Sequence, residues 1–154
     1  MKKILVLFAF LTITIHGFAQ LKTVQFEQID SLQNIQKRKI IVFIHTDWCK
    51  FCQVMQSKTL KNAAIIQSLN DNFYFIDLNA EEKRTITFKN KTFIFKPTGT
   101  NSGINDLAIQ LGTFNNQINY PTIAVLNEKY EIIFQQNSFL NTKDFKLLLD
   151  KIDD

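Results

Sequence analysis

The chain has 154 residues, which fits one domain and leaves little room for two. Hydrophobic residues make up 45% and charged residues 21%, enough apolar matter for a core, and this excludes low-complexity disorder, collagen and a long coiled coil. The formal charge of +4 falls by two, to +2, if Lys2 and Lys3 are removed, which is too weak and too scattered for a nucleic-acid surface.

Residues 1–19 read as an export leader. Lys2 and Lys3 form a positive start, Ile4 to Ile15 an apolar stretch, and Gly17-Phe18-Ala19 places small residues at a cleavage site before Gln20. The apolar run is about 12 residues long, short of the ~20 that a spanning helix needs. A mature domain over residues 20–154 in the periplasm is the expectation. Export leaves His45 as the single histidine, because His16 departs with the leader.

Along the mature chain, Phe26, Ile29, Leu32 (or Gln33) and Ile35 recur at roughly helical spacing and predict a first helix within Val24–Arg38. Ile40-Ile41-Val42-Phe43-Ile44 is a continuous β-branched and aromatic run, which suits a strand buried on both faces. Cys49 opens a helical stretch to about Asn70, interrupted near Thr59 to Asn62, and Phe73 to Leu78 is the next strand. Thr85 to Phe95 reads as two short strands around Lys89-Asn90-Lys91. Pro97 to Gly103 is a loop, and Ile104, Leu107, Ala108 and Leu111 fit a helix ended by Gly112. Thr122–Leu126 and Ile132–Gln135 form a last hairpin. Thr142 caps a final helix with Phe145, Leu148, Leu149 and Ile152 on one face. The order predicts one α/β domain with a central mixed sheet flanked by helices.

The chemistry concentrates where the first buried strand runs into Trp48-Cys49-Lys50-Phe51-Cys52. These are the chain's only cysteines. A bridge between residues so close closes a very short loop, and loop-closure stabilisation grows with loop length, so the pair is a poor staple and a good reactive couple. At a helix start, unpaired N–H groups and partial positive charge favour a thiolate at Cys49, and the thiolate is the form that attacks a disulfide. Cys52, nearly a turn further on, can then attack the mixed disulfide and release the reduced partner. Lys50 adds a cation beside the thiolate, and Asp47 acts in the opposite sense.

Trp48-Cys49-x-x-Cys52 after a buried strand, together with Tyr120-Pro121-Thr122 before a later strand, resembles the thioredoxin superfamily, over essentially the whole mature chain. The exported, Phe- and Asn-rich form with TDWCKFC is most similar to thioredoxin-like proteins of Bacteroidetes-type bacteria. The resemblance implies a thioredoxin-like fold, Cys49 as nucleophile, Cys52 as resolving thiol, Pro121 in a cis bond, and Trp48, Tyr120 and Pro121 beside the substrate. It implies thiol–disulfide exchange with no cofactor and no metal. The partners would be protein disulfides or thiols and a membrane thiol electron donor, and the chain would be a monomer. Three departures stand out. Lys50-Phe51 replaces the usual Gly-Pro, Phe43 stands where the family places a buried acid, and residues 80–119 form an insertion. The proton acceptor for Cys52 is therefore open between His45, Asp47 and water. A reducing role is favoured because the helical insertion of the disulfide-introducing relatives is missing. The alternative is a copper chaperone built on His45, Cys49, Cys52 and Met55, or a redox-inactive binding module.

Overall fold

The continuous apolar run Ile40 to Ile44 organises the molecule. The computed structural model describes residues 20–153; the leader expected over residues 1–19 lies outside the described residues. The chain forms α1 (Ile29–Ile35), β1 (Lys39–His45), α2 (Lys50–Ser57), α3 (Ala63–Asn72) and β2 (Phe73–Asn79). There follow β3 (Ile86–Phe88), β4 (Lys91–Phe93), β5 (Phe95–Pro97), β6 (Gly103–Asn105), α4 (Asp106–Gly112), β7 (Thr113–Phe114) and β8 (Gln117–Ile118). The last elements are β9 (Thr122–Leu126), β10 (Ile132–Gln136) and α5 (Thr142–Asp153).

The central sheet has the order β10-β9-β1-β2. β1 runs parallel to β2 and antiparallel to β9, and β10 pairs antiparallel with β9. With neighbours on both sides and cover on both faces, every side chain from Ile40 to Ile44 is fully buried. The two-residue period of the strand then sorts the core. Ile40, Val42 and Ile44 belong to a layer with Phe26, Ile29 and the α4 residues Leu107, Ala108 and Leu111. Ile41 and Phe43 belong to the opposite layer, with Cys49 ahead of α2, Cys52 and Met55 within it, Ile65 and Leu69 from α3, and Phe145 and Leu149 from α5. The fold class is thus the mixed sheet flanked by helices that the element order predicts.

The helical stretch after Cys49 breaks where expected. α2 ends at Ser57, a 3-10 turn spans Thr59–Lys61, and Asn62 restarts the helix by accepting from the backbone N–H groups of Ala64 (3.0 Å) and Ile65 (3.3 Å). Asn62→Ala removes both bonds and is expected to cost about 1 kcal/mol, read as a lowered midpoint in denaturant unfolding with an unchanged slope.

The first helix is shorter than its periodicity suggests. A 3-10 turn covers Phe26–Gln28, α1 ends at Ile35, and Ile35 is 83% exposed instead of facing inward. Gln33 is buried in that part of the helix, its amide bonded to both the N–H and the carbonyl of Arg38. At α5 the cap is Asn141 rather than Thr142, since the Asn141 side chain accepts from the Asp144 N–H at 3.0 Å.

The insertion over residues 80–119 carries three hairpins and α4. The β3–β4 hairpin was expected; Lys89 and Asn90 make its turn with φ of 52° and 58°. Ile86, Phe88 and Phe93 are buried in the Ile40/Val42/Ile44 layer, so this hairpin is a wall of the core. The residues flanking the expected 97–103 loop pair as β5 and β6, which places Ile104 in a strand and not in α4. At the other end of the sheet, the first described residues lie along β2. The Val24 N–H donates to the Phe75 carbonyl at 2.9 Å, Thr23 bridges Phe75 in parallel, and Asn70 holds the backbone of Gln20 and Lys22. On the opposite edge, β10 is bulged between Ile132 and Phe134. Among the described residues no helix is long and apolar enough to cross a membrane.

Candidate functional site

β1 and β2 are parallel and end side by side, and the region beyond the carboxyl ends of parallel strands is where α/β sheets gather functional groups. From His45 the chain turns through Thr46, Asp47 and Trp48 into α2. Cys49 is the N-cap residue, with extended backbone, and its Sγ accepts from the Cys52 N–H at 3.1 Å. The Cys49 N–H donates to the Thr46 carbonyl at 3.2 Å, which closes the turn. Cys49 and Cys52 are joined in a disulfide of 2.07 Å. Cys49 keeps 6% of its surface open to solvent and Cys52 keeps none.

This asymmetry has a chemical consequence. When the bridge is reduced, negative charge on Cys49 Sγ sits at the positive end of α2 with a backbone N–H already directed at it. Cys52 lies inside, in the layer of Ile41 and Phe43, where an isolated charge is costly. Of the two sulfurs, only that of Cys49 belongs to a residue with any surface open to solvent.

The end of β2 braces the loop. Asn79 donates to the Asp47 carboxylate at 3.0 Å, the Gln53 side chain donates to the Asp47 carbonyl at 2.6 Å, and the Ala80 N–H donates to the His45 carbonyl at 2.7 Å. The Trp48 indole N–H donates to Glu81 at 3.2 Å, and its ring meets Tyr120 edge-on with centroids 5.9 Å apart. That contact joins the cysteine loop to the Tyr120–Pro121 turn, whose peptide bond is cis. Burial, with the negative charge of Glu81 adding to it, pushes the Tyr120 phenol up to about 12, so it stays neutral at physiological pH. Around the bridge the surface is apolar and open. Trp48 and Phe51 are each 65% exposed, and the Phe51 ring lies 6.0 Å from that of Phe139.

Trp48, Cys49, Cys52, Tyr120 and Pro121 are thus brought to one end of the sheet. Met55 is fully buried core, and Asp47 is held outward by Asn79. His45 is buried, and its Nε2 lies 2.9 Å from the carboxylate of Asp77 on β2. Asp77, Asn79, Glu81 and Phe139 were not singled out from the sequence. The signal for the first three is topological: they end or follow the strand parallel to β1.

A family described as a thioredoxin-like domain matches residues 25–153. No curated protein matches the chain. Among solved structures the chain is similar to a thioredoxin from Thermus thermophilus, with 16% identity, a TM-score of 0.61, and coverage of 86% of this chain and 87% of that one. It is similar to a DsbH oxidoreductase with 13% identity, a TM-score of 0.60, and coverage of 86% and 84%. A disulphide isomerase from Xylella fastidiosa Temecula1 matches with 10% identity, a TM-score of 0.57, and coverage of 83% and 87%. At these identities the likeness is one of fold.

Proposed function

The chain belongs to the thioredoxin-like domain family, and from that membership we propose that it is an exported periplasmic oxidoreductase that reduces protein disulfides through Cys49 and Cys52. The observation that carries the reading is the N-cap position of Cys49 over a sealed Cys52: one sulfur is activated and reachable, the other is held back. The solved relatives named as an oxidoreductase, a thioredoxin and a disulphide isomerase agree with thiol–disulfide chemistry on this scaffold. The leader over residues 1–19, with cleavage near Ala19-Gln20, supports the compartment, and the form fits thioredoxin-like proteins of Bacteroidetes-type bacteria.

The cycle needs no cofactor. Cys49 thiolate attacks a client disulfide, a Cys49–client mixed disulfide forms, and the first client thiolate leaves. Cys52 then attacks Cys49 Sγ, the second client thiolate leaves, and the bridge seen in the structure is regenerated. The client gains two electrons and the protein loses two. In an oxidising compartment a membrane thiol donor must return them. Trp48, Tyr120 and Pro121 would line the approach of an extended client segment, and the chain would act as a monomer.

The test is insulin reduction by the dithiol form, with the Cys49/Cys52 reduction potential measured against a thiol buffer series. Insulin is expected to be reduced, with a potential below about −200 mV, on the reducing side of the disulfide-introducing proteins. A potential near about −120 mV with oxidation of dithiol substrates would reverse the direction. Failure to exchange with any disulfide would overturn the enzyme reading.

A further inference from the structure

Five buried side-chain polar atoms among the described residues lack a hydrogen-bond partner, and three of them surround the cysteine loop: His45 Nδ1, Thr46 Oγ1 and Tyr120 Oη. Buried polar atoms are normally paired, so a cluster of unpaired ones at a reactive site calls for a reason. Of the three, only the imidazole has a ring nitrogen that can take up a proton; a threonine hydroxyl has none, and the Tyr120 phenol is held neutral.

The imidazole is also oriented. Its Nε2 sits 2.9 Å from Asp77 Oδ1, and an ionised carboxylate only accepts, so Nε2 must carry a hydrogen. In the neutral ring Nδ1 is then the bare, accepting nitrogen. The ring stacks on Phe43, with centroids 5.3 Å apart and planes 18° from parallel, and Phe43 packs in the layer that holds both cysteines. Asp77 itself is partly exposed. It opens on a cavity of about 220 Å³ lined also by Gln56, Leu60, Lys61 and Phe75.

Resting on the oxidoreductase reading, we propose that His45 is the general base for Cys52 and that Asp77 is its positioning residue. In the mixed disulfide, Cys52 carries a proton. His45 Nδ1 takes it, the Cys52 thiolate attacks Cys49 Sγ, the Cys52–Cys49 bond forms and the Cys49–client bond breaks. The departing client thiolate takes a proton from solvent, and the imidazolium, paired with Asp77, returns its own to water at the cavity. On reduction of the bridge the steps reverse, and Cys52 regains its proton from the same nitrogen. The disulfide carries no S–H, so in this structure neither sulfur can donate to Nδ1. The charged or titratable groups of the surrounding elements are Asp77 on β2, the cysteines on α2, Lys61 at the cavity, Asp47 already bonded to Asn79, and Tyr120 ahead of β9.

The test follows a single step. Reduced protein is given one equivalent of a thionitrobenzoate disulfide to load Cys49, and release of the coloured thiolate by Cys52 is timed from pH 5 to 10. His45→Gln keeps a donor to Asp77 and removes the base. Release should slow on the order of 100-fold at pH 7, the range of general-base catalysis, and recover towards wild type as pH rises and Cys52 ionises unaided. Asp77→Asn should slow it less, with the same recovery. Cys49 alkylation should be unchanged in both, a readout that separates lost proton transfer from a disturbed helix start. Should His45→Gln misfold by circular dichroism, Asp77→Asn alone decides. Wild-type rates and pH profiles in the folded variants would overturn the proposal. A wild type that releases thionitrobenzoate but reduces no insulin would overturn the proposed substrate and leave His45 standing.

Discussion

Cys52→Ser, expressed as the full chain, is expected to accumulate covalent client adducts that appear on non-reducing gels and vanish with reductant. The variant keeps Cys49 at the N-cap, so the first attack proceeds, and it removes the only thiol placed to resolve the intermediate. The yield should change from traces to a visible fraction of the protein. Cys49→Ser should accumulate far fewer adducts, because Cys52 has no exposed surface and lies inside the core layer. A metal carrier that needs both sulfurs as ligands would form no client adduct in either variant. Equal adducts in both would indicate non-specific oxidation, and none with Cys52→Ser would remove protein disulfides as substrates.

The largest loss of stability is expected at Phe43. Its ring is fully buried between β2 and β9, opposite Asp77 and Ile123, stacked on His45 and packed in the layer of both cysteines. Phe43→Ala deletes a whole ring that neighbours fixed in two strands can refill only in part, at a cost of about 3–5 kcal/mol. Set against a net stability of about 5–15 kcal/mol, that brings the domain near its folding threshold. Ile35→Ala is the control; at 83% exposure it should shift the guanidinium midpoint by less than about 0.5 kcal/mol equivalent. A Phe43→Ala loss under about 1 kcal/mol would mean that the layer collapses freely around the gap.

Much of this site could be read from the residues, and the reason is physical. Five successive β-branched and aromatic residues suit a strand covered on both faces, and Trp48-Cys49-x-x-Cys52 follows at its exit, where the next helix opens. Tyr120-Pro121 ahead of Thr122–Leu126 was legible only through the resemblance to the thioredoxin superfamily. Asp77 was hidden because one acid in Phe73–Leu78 looks like an ordinary solvent-facing position; only the register Phe43↔Asp77 places it beside the histidine. The hairpins β5–β6 and β7–β8 have strands of two or three residues, too short to show a period. Asn115 and Asn116, with φ of 49° and 61°, make the turn of the latter. Ile35 failed as a core residue because helical spacing identifies a face only while the helix lasts, and α1 stops there.

The chain's first described residues, laid along β2, bear on colloidal behaviour. A sheet polymerises through free edges, where unpaired N–H and carbonyl groups template the next chain. Here Thr23 and Val24 meet the β2 edge at Phe75, and β10 is broken by its bulge. Neither border offers a long, flat register to a second copy or to an unfolded polypeptide. A client of the proposed exchange is thereby left the cysteine loop, not a sheet border, as the place to attach.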